Sequence, residues 1–486
     1  MIGTRLVVLL ALGTALAALG CNGAVSGPGA THPGATAAPS SSPPAGQSPA
    51  AQVPQPPAPV GSGDPAFYAT PTVVGSGVRT VNVAPGSTAA LQQALDAAQP
   101  GDTIVLAAGT YTQPGGNLVV RSSGTAASWI VIQGAAGSMP TIDLAGAGEL
   151  TLGASYVLLE NVEIIHGGGN NLHVAPVSGS VQDVIVRGCK IHALTTGPGA
   201  AIKINRNNGI NAGVSLVYLE GNDLSESIGN ALVDAVGAAQ CVARGNDIHD
   251  NDVGDHGIFF KGGSSEILIE GNLIRGIHQN AALQLGGVTG STFFDPAHST
   301  VEGFDQVARN NLITDCDDAC VQVEGCQHAR VHHNTIVSQT SFAVFRLNQG
   351  SSSTGAASDN SDVDIVNNLV IATGGSPQYA RDDGSAQQVH FGPQLWGGGF
   401  VNSGSAGPGV PVFPQASDVV VGANGIATVV ANPNTTAITG LPDALARLAL
   451  VAGSPARGAG AADPLVPFDI AGAARSKAAP SLGAFE

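Results

Sequence analysis

Three cations occupy similar places in a chain that is otherwise sparing with positive charge. The chain has 18 Lys and Arg against 35 Asp and Glu. Lys203, Lys261 and Arg346 each lie in or end a short apolar run, in AAIKIN, HGIFFK and AVFRLN. Removal of a proton α to a carboxylate requires a general base, and positive charge must face the developing enolate. We therefore take Lys261 as the candidate base and Arg346 as a second candidate catalytic residue.

A repeat of short apolar runs must position these residues. Each run ends in a polar step, and the shared corner position is held by Asn161, Cys189, Asn222, Asn246, Asn272, Asn311, Asn334 and Asn368. A second short strand follows each run, and no helical pattern intervenes. Short strands with Asn at the turns predict an all-β fold, a single-stranded right-handed parallel β-helix. Stacked Asn side chains suit its corners because their amides both donate and accept hydrogen bonds.

The second strands of the repeat predict a groove. Alternation along each strand places Lys203, Gln284, Gln322 and Arg346 outward, each between two apolar neighbours. In the coil between Lys203 and Gln284 the outward place is taken by a phenylalanine, and Lys261 is the next outward residue. We predict that Lys203, Gln284 and Gln322 bind substrate.

The longest insertion of the repeat falls beside this groove. It lies between Gln284 and Asn311 and includes Phe294 and His298. Exposed aromatic rings in a long loop suit stacking on sugars. Phe294 and His298 are therefore predicted to bind substrate, the alternative being that the phenylalanines only pack the loop onto the solenoid.

The start of the folded region predicts a helix. In STAALQQALDAAQPGDTIVLA the apolar residues Leu91, Ala94 and Leu95 fall on one helical face, and Pro100 and Gly101 end the pattern. Such a helix would cap the first coil. The stretch resembles the opening of secreted pectate-lyase-like β-helix proteins, and the C-terminal SPARGAGAADPLVPFDI resembles their closing segment. Longer runs also resemble exported bacterial β-helix repeat proteins.

The stretch DHGIFFKGG carries a more specific resemblance. It resembles the Asp-Gly-strand-Lys element of family nine pectate lyases. The resemblance implies that Lys261 removes the proton α to a uronate carboxyl group and that calcium neutralises the carboxylate. Asp234 and Asp255 are then the candidate calcium ligands. Chondroitinase-B-like lyases of family six pair such a lysine with an arginine on the next coil, where this chain has Gln284.

The N-terminus predicts export. MIGTRLVVLLALGTALAALGCNG has an early arginine, a short apolar run and the segment LAALGC, which resembles a bacterial lipoprotein signal. We predict a signal peptide at 1–20, a lipidated Cys21, a Pro/Ala/Ser-rich tether at 21–65 and a β-helix domain at 66–486. An ordinary cleaved secretion signal is the alternative. The expected product is a monomeric lipoprotein of the outer membrane or cell surface.

Composition adds two expectations. The formal net charge of −17 argues against nucleic acid as a partner. Five cysteines follow Cys21, so an exported chain keeps at least one free thiol. Cys316, Cys320 and Cys326 are close enough in sequence for one local disulfide.

Two classes of function fit these residues. The first is a polysaccharide lyase that acts on an acidic glycan by β-elimination. The second is a non-catalytic β-helix that binds glycan or acts as a surface adhesin. An epimerase would share the proton abstraction, whereas a hydrolase would need close carboxylates that the second strands do not show.

Overall fold

The computed structural model describes residues 64–74, 78–113, 115–339, 342–384, 386–402 and 410–486, without the side chain of Ser87. The predicted signal peptide, Cys21 and nearly all of the predicted tether lie outside these residues. Everything described belongs to one compact unit, and the predicted boundary at residue 66 stays a prediction. Within the described ranges no helix combines the length and apolarity needed to cross a membrane.

Short strands wind into three parallel sheets, because each coil contributes one strand to each sheet. The first sheet contains Arg79–Val83, Asp102–Leu106, Ile130–Gly134, Val157–Glu160, Val181–Arg187, Val214–Glu220, Ala238–Ala239, Val242–Arg244, Ser264–Glu270, Gly303–Arg309, Cys326–His332, Asn360–Val366 and Ala386–Phe391. The second contains Gly86–Ser87, Thr110–Thr112, Thr141–Asp143, Glu163–Ile165, Lys190–His192, Asp223–Ser225, Asp247–Asn251, Leu273–Ile277, Leu312–Cys316, Thr335–Ser338, Leu369–Ala372, Leu395–Gly397 and Val419–Val421. The third contains Leu118–Val120, Leu150–Leu152, Leu172–Val174, Ala200–Asn205, Ala231–Val236, His256–Lys261, Ala281–Gly286, Ala319–Glu324, Ala343–Asn348 and Gln378–Asp382. The predicted right-handed parallel β-helix is confirmed.

Few elements depart from this winding. Gly350–Ser351 and Ala357–Ser358 pair as a small antiparallel hairpin. The α-helices of the described residues are Thr88–Asp96 and Leu441–Leu448. The 3-10 turns in the same ranges are Ala66–Tyr68, Asn208–Ile210, Ser291–Phe293, Pro296–His298 and Ala423–Thr428.

The predicted asparagine stack forms a buried amide ladder. Its members are Asn222, Asn246, Asn272, Asn311, Asn334 and Asn368, and each Nδ2 donates to Oδ1 of the next at 2.9–3.0 Å. Each Oδ1 also accepts the backbone N–H of the preceding member, as Asn272 does from Asn246 at 3.0 Å. Because both halves of every amide are used, the ladder fixes the corner from coil to coil.

One assignment in the repeat is wrong by a residue. The backbone N–H of Asn161 donates to Arg187 and that of Gly188 to Glu220, so Asn161 stacks on Gly188 rather than on Cys189. Both residues have φ of 58°. Val162 therefore holds the corner position of this coil, and Asn161 supplies the left-handed residue before it, a conformation that Asn and Gly tolerate.

The predicted N-terminal helix is present at Thr88–Asp96, with Leu91, Ala94 and Leu95 buried. The Gln92 side chain bonds both backbone groups of Val119, donating at 3.0 Å and accepting at 2.8 Å. Val119 lies on the terminal strand of the third sheet, so the helix satisfies part of an open sheet edge. Its capping of the first coil stays a prediction.

The outer faces of the three sheets differ in what covers them. Tyr68 packs with Trp129 and Tyr218 in an apolar cluster on the first sheet. The C-terminal helix Leu441–Leu448 packs on outward leucines of the second sheet, including Leu273. Among the described residues no comparable apolar cluster covers the outer face of the third sheet.

Cysteine pairing follows the expectation of one local disulfide. Cys316 and Cys320 are bonded, with their Cα atoms 5.3 Å apart. Cys189, Cys241 and Cys326 are buried free thiols. Burial raises the pKa of Cys189 and of Cys241 to about 12, so these thiols remain protonated at neutral pH.

Candidate functional site

The third sheet stacks the predicted groove residues in one outward row. The register pairs neighbouring members in the order Lys203, Asp234, Phe259, Gln284, Gln322 and Arg346. Phe259 takes the outward place in its coil, as predicted. The row exists, but its members differ in burial and in partners.

Lys261 lies one outward position further along its strand, in register with Val236. Its Nζ is 4.3 Å from the centroid of the Phe259 ring, a cation–π contact. Within the described part of the chain, Lys261 forms no ion pair. The half-buried Lys261 side chain thus lies against an aromatic face without a direct ion pair in the described residues, which suits a group that must exchange a proton.

A tightly held loop follows Lys261. Gly262 and Gly263 have φ of 66° and 78°, and a Cβ on Gly263 would lie 2.8 Å from the His298 carbonyl oxygen. The buried Glu302 carboxylate accepts the N–H of Gly262 at 2.8 Å and that of Thr289 at 2.7 Å. These bonds tie both ends of the long insertion to the end of the Lys261 strand.

His256 belongs to this site and was missed from the sequence. It shares a row with alanines, Ala200 and Ala231 on the preceding strands and Ala281 and Ala319 on the following ones. Its ring lies 4.6 Å from the Phe259 ring. Because its neighbours in the row are alanines, the His256 imidazole projects into space that their small side chains leave open. The signal was its place at the start of the strand, next to Asp255.

Burial and, second, the charge of Lys261 lower the pKa of His256 to about 4. The imidazole is therefore neutral at pH 7. A neutral ring beside Lys261 can donate one hydrogen bond and accept another without adding charge to the site.

The low pKa of His256 predicts a pH effect on stability. Its folded pKa, about 4, lies below the ordinary value of 6.5. The stabilisation is therefore complete above pH 6.5 and is lost as pH falls toward 4, by about 2 kcal/mol for this half-buried group. We expect His256→Gln to flatten the fall in unfolding free energy between pH 6.5 and 4, measured by urea denaturation. Parallel curves for variant and wild type would contradict this assignment.

Lys203 and Asp234 form a buried ion pair, because Lys203 Nζ donates to Oδ2 of Asp234 on the next coil. Burial would raise the pKa of Asp234, but Lys203 and then Lys261 outweigh it and the pKa is lowered. Lys203 is thus engaged with the protein itself, and its predicted role in binding substrate stays a prediction.

The calcium site predicted at Asp234 and Asp255 does not fit this geometry. Calcium takes six to eight oxygen ligands, whereas the Asp234 carboxylate already holds the ammonium group of Lys203. Asp255 is exposed and does not join Asp234 in any cluster of three potential ligands within the described ranges. We therefore derive no step through a metal ion here.

A group of potential metal ligands lies elsewhere. Nδ1 of His278 is 3.0 Å from Asp317 Oδ2, and its Nε2 is 3.9 Å from Asp315 Oδ2. Of the described residues, these three make up the group whose ligand atoms all lie within 4.8 Å of one another. It lies at the end of strands of the second sheet, away from Lys261. Imidazole with carboxylates suits a transition metal better than calcium.

Gln284 and Gln322 are in the row but are only 2% exposed each. Their Nε2 atoms both donate to Oε2 of Glu324, at 2.8 and 3.0 Å. Burial raises the pKa of Glu324, opposed by the hydrogen bond from Gln322. The two glutamine side chains lie at the base of the outer face. A bound ligand contacts them only if it displaces their hydrogen bonds with Glu324.

Arg346 is separated from Lys261. Two strands lie between theirs, so the residues are roughly 14 Å apart along the axis, at about 4.8 Å per strand. Arg346 donates to Asp318 Oδ2, and its Nε lies 3.3 Å from Oδ1 of Asn348. At this separation Arg346 does not reach the sugar residue that Lys261 contacts, and its predicted catalytic role stays a prediction.

The predicted aromatic binders of the loop do not face the groove. Phe294 is 4% exposed and packs the loop onto the solenoid, which was the alternative weighed for it. The His298 ring stacks on Phe304 of the first sheet, with centroids 4.5 Å apart. The exposed ring of this loop is Phe293, at 53%.

Comparisons with known proteins agree on the fold. The family model described as Chondroitinase B matches residues 86–191, which end before the Lys261 strand. Pectate lyase Pel9A is 16% identical, with a TM-score of 0.52, over 84% of this chain and 96% of that one. No significantly similar sequence was found among curated proteins.

Other solved structures are less similar. The mannuronan C-5 epimerase AlgE6 A-module of Azotobacter vinelandii is 13% identical, with a TM-score of 0.44, over 71% of this chain and 91% of that one. The Streptococcus pneumoniae surface adhesin PfbA is 12% identical, with a TM-score of 0.42, over 65% and 86%. The protein is a right-handed parallel β-helix, the fold it shares with pectate lyase Pel9A, and the predicted resemblance is confirmed at the level of the fold.

Proposed function

We propose that this protein is a polysaccharide lyase that cleaves an acidic, uronate-containing glycan by β-elimination, with Lys261 as the base. The observation that carries the proposal is the Lys261 amine. It faces outward on the one sheet without an apolar cover, lies over the Phe259 ring and has no ion pair in the described residues. The likeness in fold to a pectate lyase supports it.

The reaction needs one base and one leaving group. Neutral Lys261 Nζ takes the proton α to the uronate carboxylate. The electron pair of the broken carbon–hydrogen bond forms the new carbon–carbon double bond. The bond to the glycosidic oxygen on the adjacent carbon breaks and its electron pair leaves with that oxygen. Water protonates the leaving oxygen, and the hydroxide that remains takes the proton from Lys261 Nζ, which restores both the water and the free amine. No other reactant is consumed, and the product carries an unsaturated uronate at its new end.

The neighbours of Lys261 assist this step. The Phe259 ring holds the amine and restricts its hydration, while neutral His256 offers a hydrogen bond to the sugar or its carboxylate. Lys203 adds positive charge on the same face, although Asp234 offsets it.

The proposal includes surface attachment. The segment LAALGC supports lipidation at Cys21, and the Pro-rich residues after it support a tether that holds the domain off the membrane. The partner is then a polysaccharide met outside the cell by a monomeric, anchored enzyme.

The direct test is a panel of uronate polymers, including polygalacturonate, alginate and chondroitin sulfate, incubated with the full chain. We expect ultraviolet absorbance from the new double bond on at least one polymer. Each incubation is run with added calcium and with a chelator, which tests the calcium dependence. Absence of the signal on every polymer in both conditions, together with measurable glycan binding, would favour the non-catalytic binding protein.

A further inference from the structure

A second recessed site lies on the third sheet, several coils before Lys261. It is a cleft of about 780 Å³, within the range of sites for small ligands. Its floor includes Thr151 and His173, from the same outward row as Lys203. One wall comes from residues 205–209 and the other from the tip of the long insertion, at Thr292 and Phe293.

The charges of the cleft are compensated within the protein. Arg121 lies 3.4 Å from Asp96, and Arg206 lies 2.6 Å from Asp295. The remaining lining carboxylate is Glu149, which is 2.8 Å from Nδ1 of His173. Burial would raise the pKa of Glu149, but the hydrogen bond and charge of His173 together with the hydrogen bonds from Asn170 and Thr151 outweigh it, and the pKa is lowered. An anionic sugar would meet an ionised carboxylate and two arginines that are already paired.

The uncharged groups of the cleft suit hydroxyl groups. Asn117, Asn205, Asn207 and Asn208 line it. Each amide already bonds within the protein, but an amide has two N–H donors and two acceptor lone pairs, so capacity remains for a ligand hydroxyl. Arg206 is 7% exposed, and within the described residues its Nε has no hydrogen-bond partner. A buried donor without a partner is costly, and Arg206 carries that cost in the wall of the cleft.

An exposed aromatic ring forms the rim. Phe293 is held in place through Thr292, whose carbonyl oxygen accepts a hydrogen bond from the Asn208 side chain. A fixed, exposed ring beside hydrogen-bonding amides is the combination that binds a sugar, with one apolar face stacked and its hydroxyls bonded.

We propose that this cleft binds a neutral sugar residue of the same glycan that Lys261 cleaves. The strand of His173 is three strands from that of Lys261, roughly 14 Å along the axis at about 4.8 Å per strand. The inference rests on the proposed function and narrows its substrate to a mixed polysaccharide, in which a neutral sugar lies a short way along the chain from the cleaved uronate.

The test measures binding of the full chain to trisaccharides by calorimetry, independently of cleavage. The probes are neutral gluco-, manno- and galacto-trisaccharides and, as acidic probes, trigalacturonate and trimannuronate. We expect a neutral probe to bind more tightly than both acidic ones. Phe293→Ala should weaken that binding about fivefold to tenfold, the loss expected for one aromatic contact.

Two variants serve as controls. Val288→Ala removes an exposed apolar side chain, 55% exposed, from the same loop but outside the cleft, and should leave affinity unchanged. Lys261→Met should abolish elimination yet keep neutral-sugar binding, which separates failure of the proposed chemistry from failure of this site. Tighter binding of an acidic probe, an unaffected Phe293→Ala variant, or no binding of any trisaccharide would each overturn the inference.

Discussion

Replacement of Lys261 by methionine should lower the elimination rate on the best uronate polymer by about 10²- to 10⁴-fold, the usual contribution of a general base. Methionine keeps the length and the contact with Phe259 but cannot take a proton. Because Lys261 forms no ion pair in the described residues, the fold should not depend on its charge. The measurement is the initial rate of absorbance increase, with circular dichroism to verify the fold.

Two further lysine variants sharpen the result. Lys261→Arg keeps the positive charge but is protonated at any working pH, so it should be as inactive as Lys261→Met if Lys261 is the base. Lys190→Met removes a half-buried lysine from the second sheet and should keep wild-type turnover. Full activity of Lys261→Met would remove Lys261 as the base, and activity of Lys261→Arg would assign it an electrostatic role instead.

Replacement of Asn272 by alanine should lower the free energy of unfolding by about 4 kcal/mol, at about 1 kcal/mol for each hydrogen bond lost. Asn272 is fully buried. Its side chain accepts from the N–H and Nδ2 of Asn246 and donates to the Ala243 carbonyl and to Asn311 Oδ1. The Asn246 N–H loses its acceptor, whereas Asn311 Oδ1 keeps the backbone N–H of residue 272 and Asn246 Nδ2 keeps the Leu219 carbonyl. Urea denaturation measures the loss.

Asn161→Gly is the matched control. Asn161 occupies the left-handed position that Gly188, Gly221 and Gly245 fill in later coils, and its side chain makes one bond, to Ser138 O at 2.8 Å. Glycine adopts this conformation without strain, so we expect a change below about 1 kcal/mol. Equal losses of unfolding free energy in the two variants would show that the ladder hydrogen bonds of Asn272 do not contribute to stability.

The fold could be predicted from the sequence because the repeat depends on local features of each coil. Apolar alternation and an amide at each corner recur whatever the loop length, and they predicted the outward row from Lys203 to Arg346. The slip at Asn161 arose because the step before Val162 has the same polar–Asn appearance as the true corner. The two positions differ in backbone conformation, which the amino-acid sequence does not show directly.

The site was less predictable because its contacts cross coils of unequal length. The Lys203–Asp234 pair joins residues 31 apart, and the Arg206–Asp295 pair joins residues 89 apart. The burial of Phe294 depends on how the insertion returns to the solenoid. His256 escaped notice because the inward–outward alternation breaks at the start of its strand, where Gly257 separates it from Ile258.

The amide ladder also divides the solenoid into a stiffer part, which has the ladder, and a less stiff part before it. The shared amides begin at Asn222, whereas the corresponding corners before it are Val162 and Cys189, whose side chains carry no amide to pass on. Lys261 lies on a coil with amide neighbours on both sides, while the cleft at His173 lies on coils without them. We therefore expect slow amide-hydrogen exchange around Lys261 and faster exchange around the cleft. Such a division would give the proposed proton transfer at Lys261 a rigid frame and would let the proposed sugar site adjust to its ligand.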